Sequence, residues 1–203
     1  DNLLYALGSS GFLYTIDAVS GAATVLAPLS AAAADDNPFS GFDPRASHGV
    51  DFNPAADLLR VVSDWGQNLR IVPAARSLGT PPLAQVVGAT FTDLDLNPNF
   101  PSLVSSAYTN AFASATRTTL FGIDSLNDQL VRQGGPDGSP SPNTGTLTPI
   151  GSLGVDAVEA SFDIVGGRNG VALAVIETID TAPSLYSVSL ATGAVTPFNA
   201  AGN

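Results

Sequence analysis

A short hairpin phrase that occurs near both ends of the chain most constrains its fold. Residues 13–26 read LYTIDAVSGAATVL, and residues 185–196 read LYSVSLATGAVT. The first five residues of the phrase alternate apolar and polar side chains, the period of a half-buried strand. Residues 17–21 are predicted to form a tight turn, because the Asp can bond its own backbone and the Gly tolerates positive φ. Residues 23–26 then return as the partner strand. A looser copy occupies residues 120–126.

Strand-like segments recur along the whole chain. Corresponding second strands of the units begin near Leu3, Leu58, Leu120 and Val171, and this spacing of about 50 to 60 residues is typical of a propeller blade with its loops. No long stretch shows helical periodicity. We predict a single all-β domain, a β-propeller-like array of about four four-stranded blades with the first incomplete; a β-sandwich is the alternative. The predicted repeat units are residues 1–47, 48–104, 105–159 and 160–203.

Several local segments carry finer expectations. Residues 83–88 are predicted to be the fourth strand of the second unit, and residues 194–199 the last strand of the fourth. The alanine run at residues 31–34 favours a helical turn that the following Asp-Asp-Asn-Pro ends. Residues 134–144 are rich in Gly, Pro and Ser and predict a mobile surface loop.

The first unit lacks the innermost strand of the later units, which we place at residues 50–53, 106–111 and 161–165. A sheet without that strand leaves backbone groups unpaired along residues 3–8, which favours aggregation. We therefore expect a segment upstream of Asp1, or a partner protein, to complete the sheet.

Composition excludes several classes of function. The formal net charge is −11, and all seven basic residues are arginine, so a nucleic acid would be repelled. Cysteine is absent, which excludes thiolate catalysis and cysteine-bound zinc. No run approaches the roughly 18 apolar residues of a membrane span, so we expect no transmembrane segment in this chain.

Seven phrases carry a family resemblance: LYALG at 4–8, LYTID at 13–17, VDFNP at 50–54, LRVVSD at 59–64 with GQNLR at 66–70, AYTN at 107–110, GTLT at 145–148 and GSLGVD at 151–156. They resemble a bacterial family known only as a domain of unknown function, family 4394, built of propeller-type repeats. The resemblance covers nearly the whole chain, and it implies a propeller fold and a further repeat upstream. It brings no activity, cofactor or catalytic residue. Trp65 and Ser189 depart from the family pattern.

One group of residues is a candidate for partner binding. Trp65 stands at the tip of a predicted turn, where an exposed aromatic side chain can anchor an interface. Arg60 and Arg70 lie on the neighbouring strands. They either form cross-strand pairs with nearby carboxylates or contact an anion or a partner.

A second group could bind a metal. Asp93, Asp95 and Asn97 have the alternating oxygen spacing that opens a calcium loop, without the central Gly and distal Glu of an EF-hand. The alternative is a polar loop that caps turns before Pro98. We expect no cofactor, with calcium the one metal left open.

A third group lies on the predicted inner strands. Asp51, Asn53, Asn110 and Asp163 would face one central channel if the strands have the same phase. His48 is the only histidine, and no Gly-x-Ser-x-Gly elbow accompanies it, so a Ser-His-Asp triad is not predicted.

Three functions remain open from the sequence. The first is a non-catalytic binding or structural module, an accessory subunit of an extracytoplasmic (periplasmic or secreted) or membrane-associated complex in a bacterium. The second is a calcium-dependent propeller hydrolase that uses the channel carboxylates. The third is a carbohydrate-binding module.

Overall fold

The structure is a computed structural model that describes residues 3–78, 82–98, 101–167 and 169–198. In these ranges nearly all regular structure is strand, apart from two 3₁₀ turns at Pro136–Gly138 and Pro142–Thr144. The strands are β1 (Leu4–Gly8), β2 (Phe12–Ile16), β3 (Ala23–Pro28), β4 (Ser30–Ala31), β5 (His48–Asn53), β6 (Leu58–Ser63), β7 (Asn68–Ile71), β8 (Arg76–Leu78), β9 (Leu83–Gln85), β10 (Ala89–Thr92), β11 (Leu103–Tyr108), β12 (Leu120–Asp124), β13 (Gln129–Gln133), β14 (Leu147–Ser152), β15 (Ala157–Ile164), β16 (Ala172–Thr178), β17 (Thr181–Val188) and β18 (Val195–Pro197).

The predicted fold class is confirmed: the chain is all-β, and four small sheets form a four-bladed β-propeller. Backbone contacts divide the chain into two compact units. Unit 1 comprises Asp1–Ala46 and Leu69–Thr92, and unit 2 comprises Ser47–Asn68 and Asp93–Asn203. The single-domain organisation and its four repeat boundaries stay predictions.

The first sheet of unit 1 contains the hairpin phrase. Strand β2 pairs antiparallel with β1 on one side and with β3 on the other. The carboxylate of Asp17 accepts hydrogen bonds from the backbone N–H groups of Val19 and Ser20 at 3.0 and 2.7 Å, and Gly21 has a φ of 73°. The predicted hairpin and its turn chemistry are confirmed.

The remaining strands of unit 1 correct the strand predicted at residues 83–88. Residues 83–85 form β9, which pairs with β8 in a separate hairpin, whereas the strand that pairs antiparallel with β7 is β10. Gly88 separates the two strands because its φ of 82° ends the extended run. Its Cα lies against the carbonyl of Pro28, so a side chain at this position would collide with backbone.

The alanine run of unit 1 is not helical, contrary to prediction. Ser30–Ala31 is the short strand β4, which pairs parallel with β10. The N–H of Ala33 donates to the side chain of Gln85 at 3.0 Å, and Ala34 has a φ of 56°, which a right-handed turn does not allow. Tertiary hydrogen bonds override the local preference of alanine for helix.

Unit 2 contains the hairpin β5–β6 and two four-stranded antiparallel sheets with the orders β11-β12-β13-β14 and β15-β16-β17-β18. These two sheets share one apolar core. Its fully buried members include Ile123 and Leu130 from the first sheet and Ile164 and Ile176 from the second. Along β16 buried and more exposed residues alternate, so that strand turns one face towards this core.

The copies of the hairpin phrase all lie on antiparallel hairpins. The phrase at residues 185–196 lies on β17 and β18, which pair as β2 and β3 do. The looser copy at residues 120–126 lies on β12, the second strand of its sheet, and pairs with β11 and β13. Strand β2 likewise pairs with a strand on each side, and Asp124 accepts the N–H of Leu126 at 3.1 Å as Asp17 accepts that of Val19. Asn199, at the end of the predicted last strand, lies outside the described residues.

Candidate functional site

A buried arginine organises the polar interior of unit 2. Arg60 on β6 is 1% exposed. Its guanidinium donates to Asn68 Oδ1 at 2.6 Å, to Asp93 Oδ2 at 2.7 Å and to Asn143 Oδ1 at 2.7 Å, and its Nε lies 3.3 Å from the hydroxyl of Tyr108. Because this guanidinium is enclosed and bonded on all sides, Arg60 cannot be the surface partner contact considered from the sequence; it is a structural residue.

Asp93, Asp95 and Asn97, the candidate calcium loop, make other contacts, and calcium binding there stays a prediction. Asp93 forms the buried ion pair with Arg60, so a cation is already present at its carboxylate. Asp95 is exposed, and its backbone carbonyl accepts from the side chain of Asn97 at 2.9 Å. The segment that these residues occupy crosslinks unit 2 through backbone bonds, including Leu96 N–H to the carbonyl of Gly66 at 2.9 Å.

The segment predicted to be a mobile loop, residues 134–144, is bonded to the same interior. The carbonyl of Pro142 accepts hydrogen bonds from the side chains of Asn68 and Gln133 at 3.2 and 2.8 Å. The side chain of Asn143 accepts a hydrogen bond from Arg60, and its backbone carbonyl accepts the N–H of Leu94 at 3.1 Å. These bonds hold the segment in a defined conformation, which corrects the prediction.

Trp65 lies where the sequence places it. It follows β6 in a turn closed by the hydrogen bond from Gly66 N–H to the carbonyl of Ser63 at 3.0 Å. Its side chain is 62% exposed. This accessible aromatic surface is consistent with a contact residue, and its role stays a prediction.

Arg70 belongs to unit 1 and lies directly opposite Phe91 in the β7–β10 pair. The guanidinium carbon lies 4.8 Å from the centre of the Phe91 ring. This is a cross-strand cation–π contact, so part of the guanidinium surface is covered by the chain itself. A partner contact at Arg70 stays a prediction.

The first strands of unit 2, β5, β11 and β15, lie side by side, with β11 in the middle. Every residue of β11 is buried. At Gly49 on β5 an added Cβ would lie 2.6 Å from backbone atoms of Ser105 and Ser106, so the two strands are in backbone contact. Asp51, two residues further, meets Tyr108 on β11. Gly49 lies against residues 105–106 and Asp51 against Tyr108, so the residue numbers of both strands increase in the same direction. Strands β5 and β11 therefore run parallel.

Asp51 is bonded to the edge of β11. Its Oδ2 accepts the backbone N–H of Tyr108 at 2.6 Å, and its Oδ1 accepts the N–H of Phe52 at 2.7 Å. Burial raises the pKa of Asp51 to about 7, and the negative charge of Asp163 adds to this; the two N–H donors lower the pKa by a smaller amount. The carboxylate thus holds two inner strands together.

Of the other channel candidates, only Asp163 resembles Asp51. Its Oδ1 accepts the N–H of Ile164 at 2.8 Å, and its side chain is exposed. Asn53 accepts the N–H groups of Ala55 and Ala56 at 2.9 Å and caps a turn. Asn110 lies beyond the end of β11, where its amide pairs with the side chain of Asn169 at 2.6 Å. Asn53 and Asn110 are therefore turn and loop residues rather than channel ligands.

The first sheet of unit 1 has an open edge. Its strand order is β1-β2-β3, so among the described residues β1 pairs with β2 alone. Leu3 and Leu4 at this edge are 52% and 53% exposed. The expectation that a segment upstream of Asp1 or a partner protein completes this sheet stays a prediction.

A comparison with protein families decides the relationship suggested by the sequence phrases. The family model described as "Domain of unknown function (DUF4394)" matches residues 1–203. The chain belongs to the DUF4394 family. No curated protein matches it. Within its described residues this DUF4394 chain has no helix that is both long and apolar enough for a membrane span.

Sequence reasoning missed most partners of the buried arginine in this DUF4394 chain. Neither Asn68, Tyr108 and Asn143, which bond Arg60, nor Gln133, which bonds Asn68, was predicted to share a site with Arg60. The only local signal was the pair of polar residues, Arg60 and Asn68, at the inward positions of two adjacent strands. Their long-range partners follow from the topology and leave no mark in the sequence.

Proposed function

We propose that this chain is a non-catalytic binding module that takes up a β-strand of another protein at the open edge of β1. It works outside the cytoplasm as an accessory subunit of a larger complex. The observation that carries the proposal is the strand order β1-β2-β3, in which β1 is an outer strand of its sheet among the described residues. Edge strands bind extended peptides through main-chain hydrogen bonds, with side-chain contacts adding specificity.

The number of strands in each sheet supports this role. Both complete sheets of unit 2 have four strands, whereas the β1 sheet has three among the described residues. Strands β1 and β2 already form a regular ladder from Leu4↔Ile16 to Gly8↔Phe12. An added strand therefore meets a pre-formed template, which lowers the entropic cost of binding.

The carboxylates considered for a hydrolase have structural partners. Asp93 is paired with Arg60, and both oxygens of Asp51 accept backbone N–H groups. No group of three or more His, Cys, Asp or Glu side chains that could hold a metal occurs within the described residues. These contacts favour a binding module over the calcium-dependent hydrolase.

A pair of proline substitutions tests the proposal. The N–H groups of successive residues in a strand point to opposite edges. Proline has no N–H group, so one of the variants Ala6→Pro and Leu7→Pro removes a donor to β2, and the other removes a donor at the opposite edge of β1. We expect the variant that retains the stability of the wild type to lose the partner that co-purifies with the tagged chain. The matched control is the pair Thr24→Pro and Val25→Pro in β3. Retention of the partner by both β1 variants would contradict the proposal.

One observation favours a carbohydrate-binding function as the second candidate. Unit 1 contains an open pocket of about 420 Å³ whose lining includes Ser9, Ser10, Ser40, Phe39 and Phe42. The two phenylalanine rings have centres 6.3 Å apart. Hydroxyl groups beside aromatic faces, with no charged side chain in the lining, suit a neutral sugar ring. Titration with maltose and cellobiose, with Phe39→Ala as the control, tests this; no heat of binding for either sugar would exclude both as ligands.

A further inference from the structure

Asp51 on β5 accepts a hydrogen bond from Tyr108 on β11. Strand β15 makes no equivalent contact within the described residues. Asp51 on β5 and Asp163 on β15 occupy the same place in their strands, since each Oδ1 accepts the N–H of the next residue, at 2.7 and 2.8 Å. The flanking residues are apolar in both strands. The two aspartates are thus copies of one feature of the inner strands.

Their second oxygens differ. Asp51 Oδ2 accepts the backbone N–H of Tyr108 from the next inner strand at 2.6 Å. Asp163 Oδ2 has no hydrogen-bond partner among residues 3–78, 82–98, 101–167 and 169–198. Strand β11 is buried along its whole length because β5 and β15 flank it, whereas Glu159, Ser161 and Asp163 on β15 are exposed.

From this repeat we infer that β15 binds an extended strand of a partner polypeptide, which runs parallel to β15 and donates a backbone N–H to Asp163 as Tyr108 does to Asp51. The inference rests on the proposed binding function and deepens it by naming the chemistry of the partner. A charged acceptor makes such a hydrogen bond roughly twice as strong as a neutral one.

The charge of the surface defines the partner further. Glu159 and Asp163 are both acidic and exposed on this strand, and the chain as a whole carries a formal net charge of −11. A second copy of the chain would bring like charges together, and such contacts are disfavoured. The occupant that fits is therefore a basic segment, with arginine or lysine beside the residue that donates its N–H.

The probe is a peptide with the sequence of residues 103–110, LVSSAYTN, flanked by one arginine at each end. This is the strand that Asp51 already binds through Tyr108 N–H. Two control peptides are used: the same peptide N-methylated at its tyrosine, and a peptide flanked by glutamate in place of arginine. The control variant of the protein is Asp180→Ala, which removes an exposed carboxylate from a turn beyond β16. Binding to the full chain is measured by calorimetry and by the amide shift of ¹⁵N-labelled tyrosine.

We expect Asp163→Ala and the N-methylated peptide each to weaken binding by about tenfold or more, and the two changes together to weaken it little further, because both remove the same hydrogen bond. Asp163→Asn, which keeps an acceptor oxygen, should weaken binding less than Asp163→Ala. Asp180→Ala should leave binding unchanged.

Three results would overturn the inference: no binding of the arginine-flanked peptide to the wild type, equal binding of the glutamate-flanked peptide, or binding that neither Asp163→Ala nor N-methylation changes. The proline pair in β1 separates this inference from the proposed function. Peptide binding that depends on Asp163, with the partner retained by both proline variants, would support the β15 site and contradict strand addition at β1. The reverse pattern would support β1 and contradict the β15 site.

Discussion

The carboxylate of Asp51 accepts the backbone N–H of Tyr108 at 2.6 Å and thereby joins two parallel inner strands of unit 2. Burial raises the pKa of this carboxyl to about 7 from 3.8. The folded state therefore keeps a proton on Asp51 at pH values where the unfolded chain has released it. Linkage makes this a dependence of stability on pH.

The first prediction concerns that dependence. Below about pH 4 both states hold the proton; between about pH 4 and pH 7 only the folded state does, so the contribution of Asp51 to the free energy of unfolding falls as pH rises. The loss is on the order of 2 to 4 kcal/mol after allowance for screening by solvent. Urea unfolding at several pH values should show the decline in the wild type and a flatter profile in Asp51→Asn.

Asp163→Asn is the matched control for this measurement. The negative charge of Asp163 contributes to the raised pKa of Asp51, so its removal should shift the decline to lower pH without abolishing it. An Asp51→Asn profile with the same slope as the wild type would show that other groups cause the pH dependence.

The second prediction concerns the buried ion pair. Arg60→Met leaves the carboxylate of Asp93, which is 6% exposed, without its cation. Loss of one partner of a buried pair costs about 3 to 5 kcal/mol. Urea unfolding should show a loss of this size for Arg60→Met.

The double variant Arg60→Met/Asp93→Asn provides the control for this pair. Because the neutral amide needs no cation, we expect the double variant to be clearly more stable than the sum of the two single changes predicts. Strict additivity would contradict the account of Arg60 as the structural partner of Asp93.

Local chemistry explains which parts of the fold the sequence predicts. The hairpin at Asp17 depends on residues within five positions of one another, so its strands, turn and repeat at residues 185–196 were all predictable. The hydrogen-bond partners of Arg60 lie 8, 33, 48 and 83 positions away from it in the sequence. A single sequence holds no record of such pairings, so Arg60 was left between a cross-strand pair and a partner contact, and Asp93 between a turn cap and a calcium ligand.

Strand β10 was missed, and residues 83–88 were predicted in its place, for a related reason. The apolar residues at 83–88 fit a strand as well as those of β10 do, and the backbone at Gly88, which has a φ of 82° and lies against Pro28, separates β9 from β10. At the candidate site, Asp51 and Asp163 were predictable as inner-strand residues because they repeat. Their partner groups were not, since backbone N–H donors carry no sequence signature.

The third prediction uses the two copies of the hairpin turn. Ser189 occupies the place of Asp17: the N–H groups of Gly193 and Gly21 donate to the carbonyls of Ser189 and Asp17, both at 2.8 Å. The side chain of Asp17 accepts two further backbone N–H groups, which holds its pKa below the ordinary value. Ser189→Asp should therefore raise the urea midpoint and Asp17→Ala should lower it. A fall in the midpoint with Ser189→Asp would contradict the equivalence of the two turns.

The fourth prediction concerns Trp65. Because its side chain is 62% exposed, Trp65→Ala should change the free energy of unfolding by no more than about 0.5 kcal/mol. It should nevertheless weaken binding of a co-purifying partner, as expected of an aromatic anchor. Unchanged recovery of the partner would remove Trp65 from the interface.

Amide hydrogen exchange along β1 tests the central proposal most directly. In the isolated chain we predict that alternate amides between Leu4 and Gly8 exchange fast, while the intervening amides, which bond to β2, are protected. In the complex with the co-purifying partner, the fast amides should become protected. Protection of every β1 amide in the isolated chain, or fast exchange that persists in the complex, would contradict strand addition at this edge.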